Sequence, residues 1–229
     1  MSESRRTQLA RRPDPDEVLE RLLRWYQVHG RQLPWRAEGW GEWRLVVTEI
    51  LLQQTPADRV AGFVTGFFRR YPTATHLAAT QRRRLEEDLK PLGLQRRRAS
   101  RLKLLAEWID EHKELPEDRR GLMALPGIGP YVAAAVMATL RGQPIATVDV
   151  NMARFIERVF GPRSRADIRY DPHVNDTARK LALKAPSAKD FNWAVLDLSA
   201  FHCTARNPRC SDCPIRPCCP TGASRSKGT

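Results

Sequence analysis

The chain has 229 residues, 41% of them hydrophobic, enough to bury one large core or two small ones. Its 39 Lys and Arg outnumber 26 Asp and Glu, and the resulting charge of +13 selects a polyanion as partner, nucleic acid first. No apolar run is long enough to span a membrane, and neither a lipid anchor nor an export signal is evident, so a membrane partner is excluded and a cytoplasmic location is expected.

In chain order, residues 1–14 are Arg-rich with almost nothing apolar, and residues 221–229 are small, polar and basic; both ends read as disordered. Between them, apolar residues recur at helical spacing over 15–29, 42–54, 57–70, 82–90, 96–113, 119–124, 131–140, 150–160, 172–184 and 190–200. Strand-like alternation is scarce. Prolines from Pro34 to Pro186 punctuate the segments, which predicts an all-α bundle of short helices with tight connections.

Within 42–54, Glu49 lies in the run Leu45-Val-Val-Thr-Glu-Ile-Leu-Leu52, too apolar to welcome a free carboxylate. Desolvation there raises a carboxyl pKa and suits it to donate a proton near neutrality; the plainer alternative is a Glu at the solvent edge of its helix. Two basic runs follow. Arg82, Arg83 and Arg84 are matched four residues on by Glu86, Glu87 and Asp88, the pattern of a self-paired surface helix. Arg96, Arg97, Arg98, Arg101 and Lys103 have no acid among them and are candidates to lie along phosphates.

The next signal is Leu125-Pro-Gly-Ile-Gly-Pro-Tyr131, two glycines and two prolines in a tight hairpin between helices. Backbone amides at such a turn and at the following helix start form an anion site that grips a phosphate without reading sequence, although many helical hairpins use glycine only to reverse direction. Asp149 then stands just before the helix carrying Phe155, Ile156 and Val159. It reads as an N-cap, and a carboxylate held by helix amides also has the charge needed to stabilise a cationic sugar transition state.

Near the C-terminus the cysteines fall as Cys203-x6-Cys210-x2-Cys213-x5-Cys219, with Cys218 to spare. Four thiolates on one loop suit an iron–sulfur cubane, each iron taking one sulfur ligand. Zinc accepts the same ligands, but its usual signature is two close pairs separated by a longer finger, and only Cys210 and Cys213 make such a pair. Disulfides fit an odd count of five poorly.

Together, the LPGIGPY hairpin, the Asp of VDVN and the four-cysteine loop resemble the helix-hairpin-helix DNA glycosylases of the endonuclease III superfamily, over about residues 15–220. The resemblance implies two helical domains flanking a DNA-binding cleft: a six-helix domain at 36–149 bearing the hairpin, and an iron–sulfur cluster domain built from 15–35 plus 150–220. It implies a [4Fe-4S] cluster on Cys203, Cys210, Cys213 and Cys219, and Asp149 as the catalytic carboxylate. Bifunctional members carry a lysine nucleophile after the hairpin; Tyr131 stands here and makes no imine, so hydrolysis without strand cleavage is expected.

The segment around Glu49 resembles the adenine- and thymine-excising branches, in which a Glu lines the base pocket. Leu33-Pro-Trp35-Arg36 resembles their pocket entrance, which makes Trp35 and Arg36 pocket candidates, with Trp193 as a third. Base excision requires the nucleotide to be extruded and its place in the stack filled, a task suited to Gln53 or Gln54. Gly127, Gly129 and Asn151 complete the expected DNA contacts.

The short length, GPY, VDVN and the Asp190-Phe-Asn192 segment look more like the enzymes that remove T or U opposite G. The LLQQT run looks like the adenine glycosylases acting opposite guanine or 8-oxoguanine. The expected protein is thus a monomeric, nucleoid-associated base excision repair enzyme acting on double-stranded DNA that holds a mismatched or damaged base. A non-catalytic cluster-bearing DNA-binding module is the alternative of another class.

Overall fold

The structure is a computed structural model that describes residues 13–225. The helical expectation holds: among the described residues the elements are α- and 3-10 helices joined by turns. The α-helices are α1 (Pro15–His29), α2 (Glu42–Leu52), α3 (Ala57–Arg70), α4 (Ala74–Ala79), α5 (Arg82–Leu89), α6 (Gln95–His112), α7 (Arg119–Ala124), α8 (Pro130–Leu140), α9 (Val150–Phe160), α10 (Pro172–Lys184), α11 (Ala188–Phe201) and α12 (Pro220–Arg225).

The chain divides into two compact units. One comprises Arg31–Gln143; the other joins the residues up to Gly30 to those from Pro144 onward. The seams thus fall a few residues before the expected divisions at 35/36 and 149/150, so Trp35 belongs with α2 and Asp149 with α9 and the cysteine loop.

In the first unit, α2 packs against α3, α6 and α8, while α6 also covers α4 and α5. Every residue from Val132 to Ala138 of α8 is buried, six of the seven being Ala or Val and the other Met137, so that helix is apolar all round and lies inside the unit. In the second unit, α11 packs on α1, α9 and α10. Phe155 and Ile156 of α9 are fully buried there, each contributing about 2–3 kcal/mol by removal from water.

Caps written into the sequence set many of the helix starts. The side chains of Asp14, Thr73, Asp118, Asp149, Asp171 and Ser187 each accept an amide of the helix that follows. Asp171 is fully buried; burial alone would raise its pKa, but hydrogen bonds from Val174 N, Ser164 Oγ, Arg165 N and Ser164 N outweigh that and hold it at about 2.

Three local expectations change. Six-residue α4 is too short to show a helical period and rests on its Thr73 cap and on burial of Ala74 and Leu77. The helix expected over 42–54 stops at Leu52, because Gln54 takes a left-handed conformation with φ of 59°. The disorder expected over 221–229 gives way, in the described part, to α12, whose Thr221 hydroxyl donates to the Arg158 carbonyl of α9 at 2.8 Å. The tail expected at 1–14 lies outside the described residues apart from Pro13 and Asp14, and 226–229 lies outside them as well.

Candidate active site and cysteine loop

Asp149 caps α9, and its carboxylate is fixed at both oxygens. Oδ1 accepts the amides of Asn151 and Met152, each at 2.9 Å, and Oδ2 accepts Asn151 Nδ2 at 2.7 Å. Asn151, expected on the DNA, thus has its amide nitrogen committed to Asp149, while its Oδ1 accepts Arg154 Nη2 at 2.7 Å. Arg154 Nε in turn donates to the Cys203 carbonyl at 2.8 Å. Asp149 remains half-buried, and the adjoining Val150 is 66% exposed, so the helix start faces outward.

One turn further along α9, Arg158 Nη1 lies 3.2 Å from Cys203 Sγ and donates to the Thr204 carbonyl at 2.8 Å, and Nη2 donates to the Ala205 carbonyl at 3.1 Å. The five cysteines carry free, half-buried thiols. Burial pushes the Cys213 thiol up to about 12, with Cys203, Cys219 and Cys210 adding to the rise. Cys219 is also raised by burial, with Cys203 and Cys210 adding. Cys218 stands apart: burial and then Glu17 raise it to about 11, Cys219 is the one thiol acting on it, and its Sγ lies 3.2 Å from the Ile215 carbonyl.

Cys203, Cys210 and Cys219 thus act on Cys213, and Cys203 and Cys210 on Cys219, across one loop. Thiols in such a setting ionise when cationic metal offsets their mutual repulsion, so the donor set fits a polynuclear iron–thiolate group. Among the described residues, no group of three or more His, Cys, Asp or Glu side chains is gathered so as to hold a metal ion.

In the other unit, Glu49 of α2 is 6% exposed and its Oε2 is sealed from solvent without a hydrogen-bond partner. Burial pushes its pKa up to about 7, against the lowering pull of the Arg36 charge. Arg36 closes the 3-10 turn Pro34–Arg36, which packs on α2 and α3; its Nη1 donates to the Arg31 carbonyl at 3.2 Å, and Trp35 beside it is 4% exposed. Trp193 is half-buried on α11, with the Lys189 ammonium 5.3 Å from its ring centroid.

The turn after α2 separates the two glutamines. Gln53 is spent internally: its Nε2 donates to the Gly127 carbonyl at 3.3 Å and its Oε1 accepts Arg101 Nη1 at 3.2 Å. Gln54 is exposed, which leaves it as the side chain presented outward. Gly127 needs its glycine, since φ is +83° and an added Cβ would sit 3.3 Å from Ile50 Cδ1. Gly129 precedes α8 in extended conformation with no side-chain cap, and Tyr131 lies half-buried in the first turn.

The basic run at 96–103 resolves into unlike roles. Arg96 and Arg97 are exposed, but Arg98 is 3% exposed, its Nη1 donating to the carbonyls of Leu92 and Gly93 and its Nη2 to those of Leu51 and Gln53 and to Thr55 Oγ1. Lys103 is held by the Ala78 and Thr80 carbonyls and pairs with Glu107. By contrast the 82–88 run pairs as expected, Arg82 with Glu86, Arg83 with Glu87 and Arg84 with Asp88.

Sequence reasoning passed over Leu94, left-handed at φ of 51° and 46% exposed, which lines a shallow hollow with Gln54 and Arg97. A large apolar side chain immediately after Gly93, beside a basic run with no acid within it, was the available signal.

A glycine hairpin, a helix-capping Asp and a half-buried four-thiol loop on an all-helical frame define a class, and the chain belongs to it: the HhH-GPD superfamily of base excision DNA repair proteins matches residues 47–183. The chain is 38% identical over 209 residues to the thymine-DNA glycosylase of Aeropyrum pernix, covering 89% of this chain and 93% of that one. It is 37% identical to the thymine/uracil-DNA glycosylase of Pyrobaculum aerophilum, with 88% and 90% covered. Identity to the adenine DNA glycosylase of Mycobacterium tuberculosis is also 37%, but this chain spans only 65% of that protein. A solved thermostable thymine-DNA glycosylase superposes with a TM-score of 0.84 at 30% identity, covering 92% of this chain and 97% of that one.

Proposed function

We propose that this base excision repair glycosylase is monofunctional, extruding thymine or uracil from opposite guanine and hydrolysing its bond to deoxyribose. The observation that carries the reading is Tyr131 in the first turn of α8, at the place where bifunctional relatives have a lysine nucleophile. A phenol forms no imine, so water is the nucleophile and the product is an abasic site. The naming of the thymine- and uracil-excising relatives, which match along nearly their whole length, supports the choice of base.

In this reading Glu49, kept protonated by burial, donates its proton to the departing base. The Asp149 carboxylate stabilises the positive charge that develops on the sugar until water adds at C1′ and releases one proton, which balances the proton that Glu49 gave to the base. Trp35 and Arg36 contact the base, Gln54 fills the vacated stack, and the hairpin at Gly127 and Gly129 holds a phosphate. The protein acts as a monomer on duplex DNA, drawn to it by a charge of +13.

Cys203, Cys210, Cys213 and Cys219 hold a [4Fe-4S] cluster, supported by their spacing and mutual interaction. When bound, the cluster supplies iron–thiolate bonds that fasten the loop, and excision draws no electron from it.

Adenine excision opposite guanine or 8-oxoguanine is the second reading, favoured by Gln53-Gln54. A panel of duplexes carrying T:G, U:G, A:G, A:8-oxoguanine and a damaged pyrimidine, scored for alkali-labile abasic sites, separates the two. Preferred cutting of A:G or A:8-oxoguanine overturns the thymine reading, and a wholly silent panel with retained DNA affinity points to a binding module. Borohydride traps no covalent adduct with the wild type; efficient trapping removes the monofunctional assignment.

A further inference from the structure

Asp149 is reached from α8 through residues 144–148, a stretch that takes part in no backbone–backbone hydrogen bond among the described residues. One side chain on another helix substitutes for the missing ladder. Asn192 of α11, 4% exposed, accepts the Thr147 amide on Oδ1 at 3.0 Å and donates from Nδ2 to the Ile145 carbonyl at 2.9 Å. Its amide thus offers an acceptor and a donor to alternate residues, as the backbone of a neighbouring strand does. Thr147 is itself 4% exposed, so its amide has no water to fall back on.

We infer that Asn192 is a positioning residue for Asp149, an inference that rests on the catalytic reading of that carboxylate. Asn151 and Met152 orient the carboxylate relative to α9, on its downstream side. Asn192 fixes the chain two residues upstream relative to α11. Without it the Thr147 N–H is buried and unpaired, and the approach to Asp149 relaxes to find another partner. A carboxylate that acts by charge on a developing cation loses effect steeply with displacement, a misplacement of about 1 Å costing on the order of 100-fold. Trp193 follows directly along α11, so the same residue couples that helix to the Asp149 segment.

The test uses the full chain and the mismatch duplex that the wild type cuts fastest, with single-turnover rate, DNA dissociation constant and melting temperature read for each variant. Asn192→Ala is expected to lower the rate about 30- to 100-fold while affinity stays within about threefold. Asn192→Asp supplies the discriminating measurement. As a carboxylate it repels the Ile145 carbonyl; once protonated, its hydroxyl donates to Ile145 and its carbonyl oxygen accepts from Thr147, restoring both bonds. The ratio of its rate to that of the wild type therefore climbs as pH falls from 8.5 to 5.5.

A folded Asn192→Ala within threefold of the wild-type rate overturns the inference, as does an Asn192→Asp ratio that stays flat with pH. If Asn192→Ala does not fold, the Asn192→Asp ratio decides alone. Undiminished turnover by Asp149→Asn, by contrast, removes the catalytic reading itself and marks that failure as a different one.

Discussion

Asn151 holds Asp149 twice, through its backbone amide to Oδ1 at 2.9 Å and through its side-chain Nδ2 to Oδ2 at 2.7 Å. Because Arg154 then ties Asn151 to the Cys203 carbonyl, the carboxylate and the first residue of the four-cysteine loop share one short hydrogen-bonded path along α9. Both oxygens are thus held by donors on α9, which fixes the orientation of the carboxylate before DNA binds.

Asp149→Asn is expected to lower single-turnover excision by about 10³-fold. Asn caps a helix as well as Asp does, so the melting temperature stays within about 2 °C and DNA affinity within a few-fold. Excision kinetics beside a thermal melt check both halves; a variant that is simply unfolded would lose all three together.

Glu49 gives a pH dependence whose sign follows from its raised pKa, about 7 against an ordinary 4.5. The folded state holds this proton more tightly than the unfolded chain. Its contribution to stability is therefore complete below about pH 4.5 and is lost as pH rises through about 7, a total on the order of 3 kcal/mol. Wild-type excision should decline above pH 7 as the acid ionises, whereas Glu49→Gln is slow, flat with pH in this limb, and relatively more stable at pH 8.5 than at pH 5. Urea titrations and single-turnover rates at both values suffice, and an unchanged pH profile in Glu49→Gln would contradict the general-acid role.

Arg98 and Gln54 should respond in opposite directions. Arg98→Met leaves the carbonyls of Leu51, Gln53, Leu92 and Gly93 without their common donor, and is expected to cost about 2–4 kcal/mol and to loosen the turn. Gln54→Gly relieves a left-handed residue and stabilises by up to about 1 kcal/mol, yet slows excision because nothing then fills the opened stack. Denaturation midpoints with paired rate measurements check this; a Gln54→Gly enzyme at full speed removes Gln54 from the proposed role.

For the cysteine loop, Cys218→Ser should retain iron and sulfide in equal amounts, while Cys213→Ser or Cys219→Ser loses them. Metal and sulfide analysis of purified protein decides, and a single zinc without sulfide replaces the cluster with a structural zinc site.

What was legible in the sequence was whatever depends on neighbours along the chain. Helical periods, the Asp149 cap, the glycine hairpin and the pairing of Arg82, Arg83 and Arg84 with acids four residues on are all set within one or two turns of backbone. Glu49 was singled out from the apolar run around it, and burial then moved its pKa as that run implied. The α4 helix was missed because six residues hold too few apolar positions to show a period.

The sequence by itself determined an all-helical frame, a capped carboxylate, a hairpin and a set of four thiols, because each is specified by local spacing. Only the tertiary structure decided which of two glutamines is presented, that Arg98 faces carbonyls and not phosphates, and that Asn192 braces the approach to Asp149. Those assignments depend on partners 43 to 74 positions away in the chain, brought together by packing of helices whose order in sequence says nothing of which side chains meet.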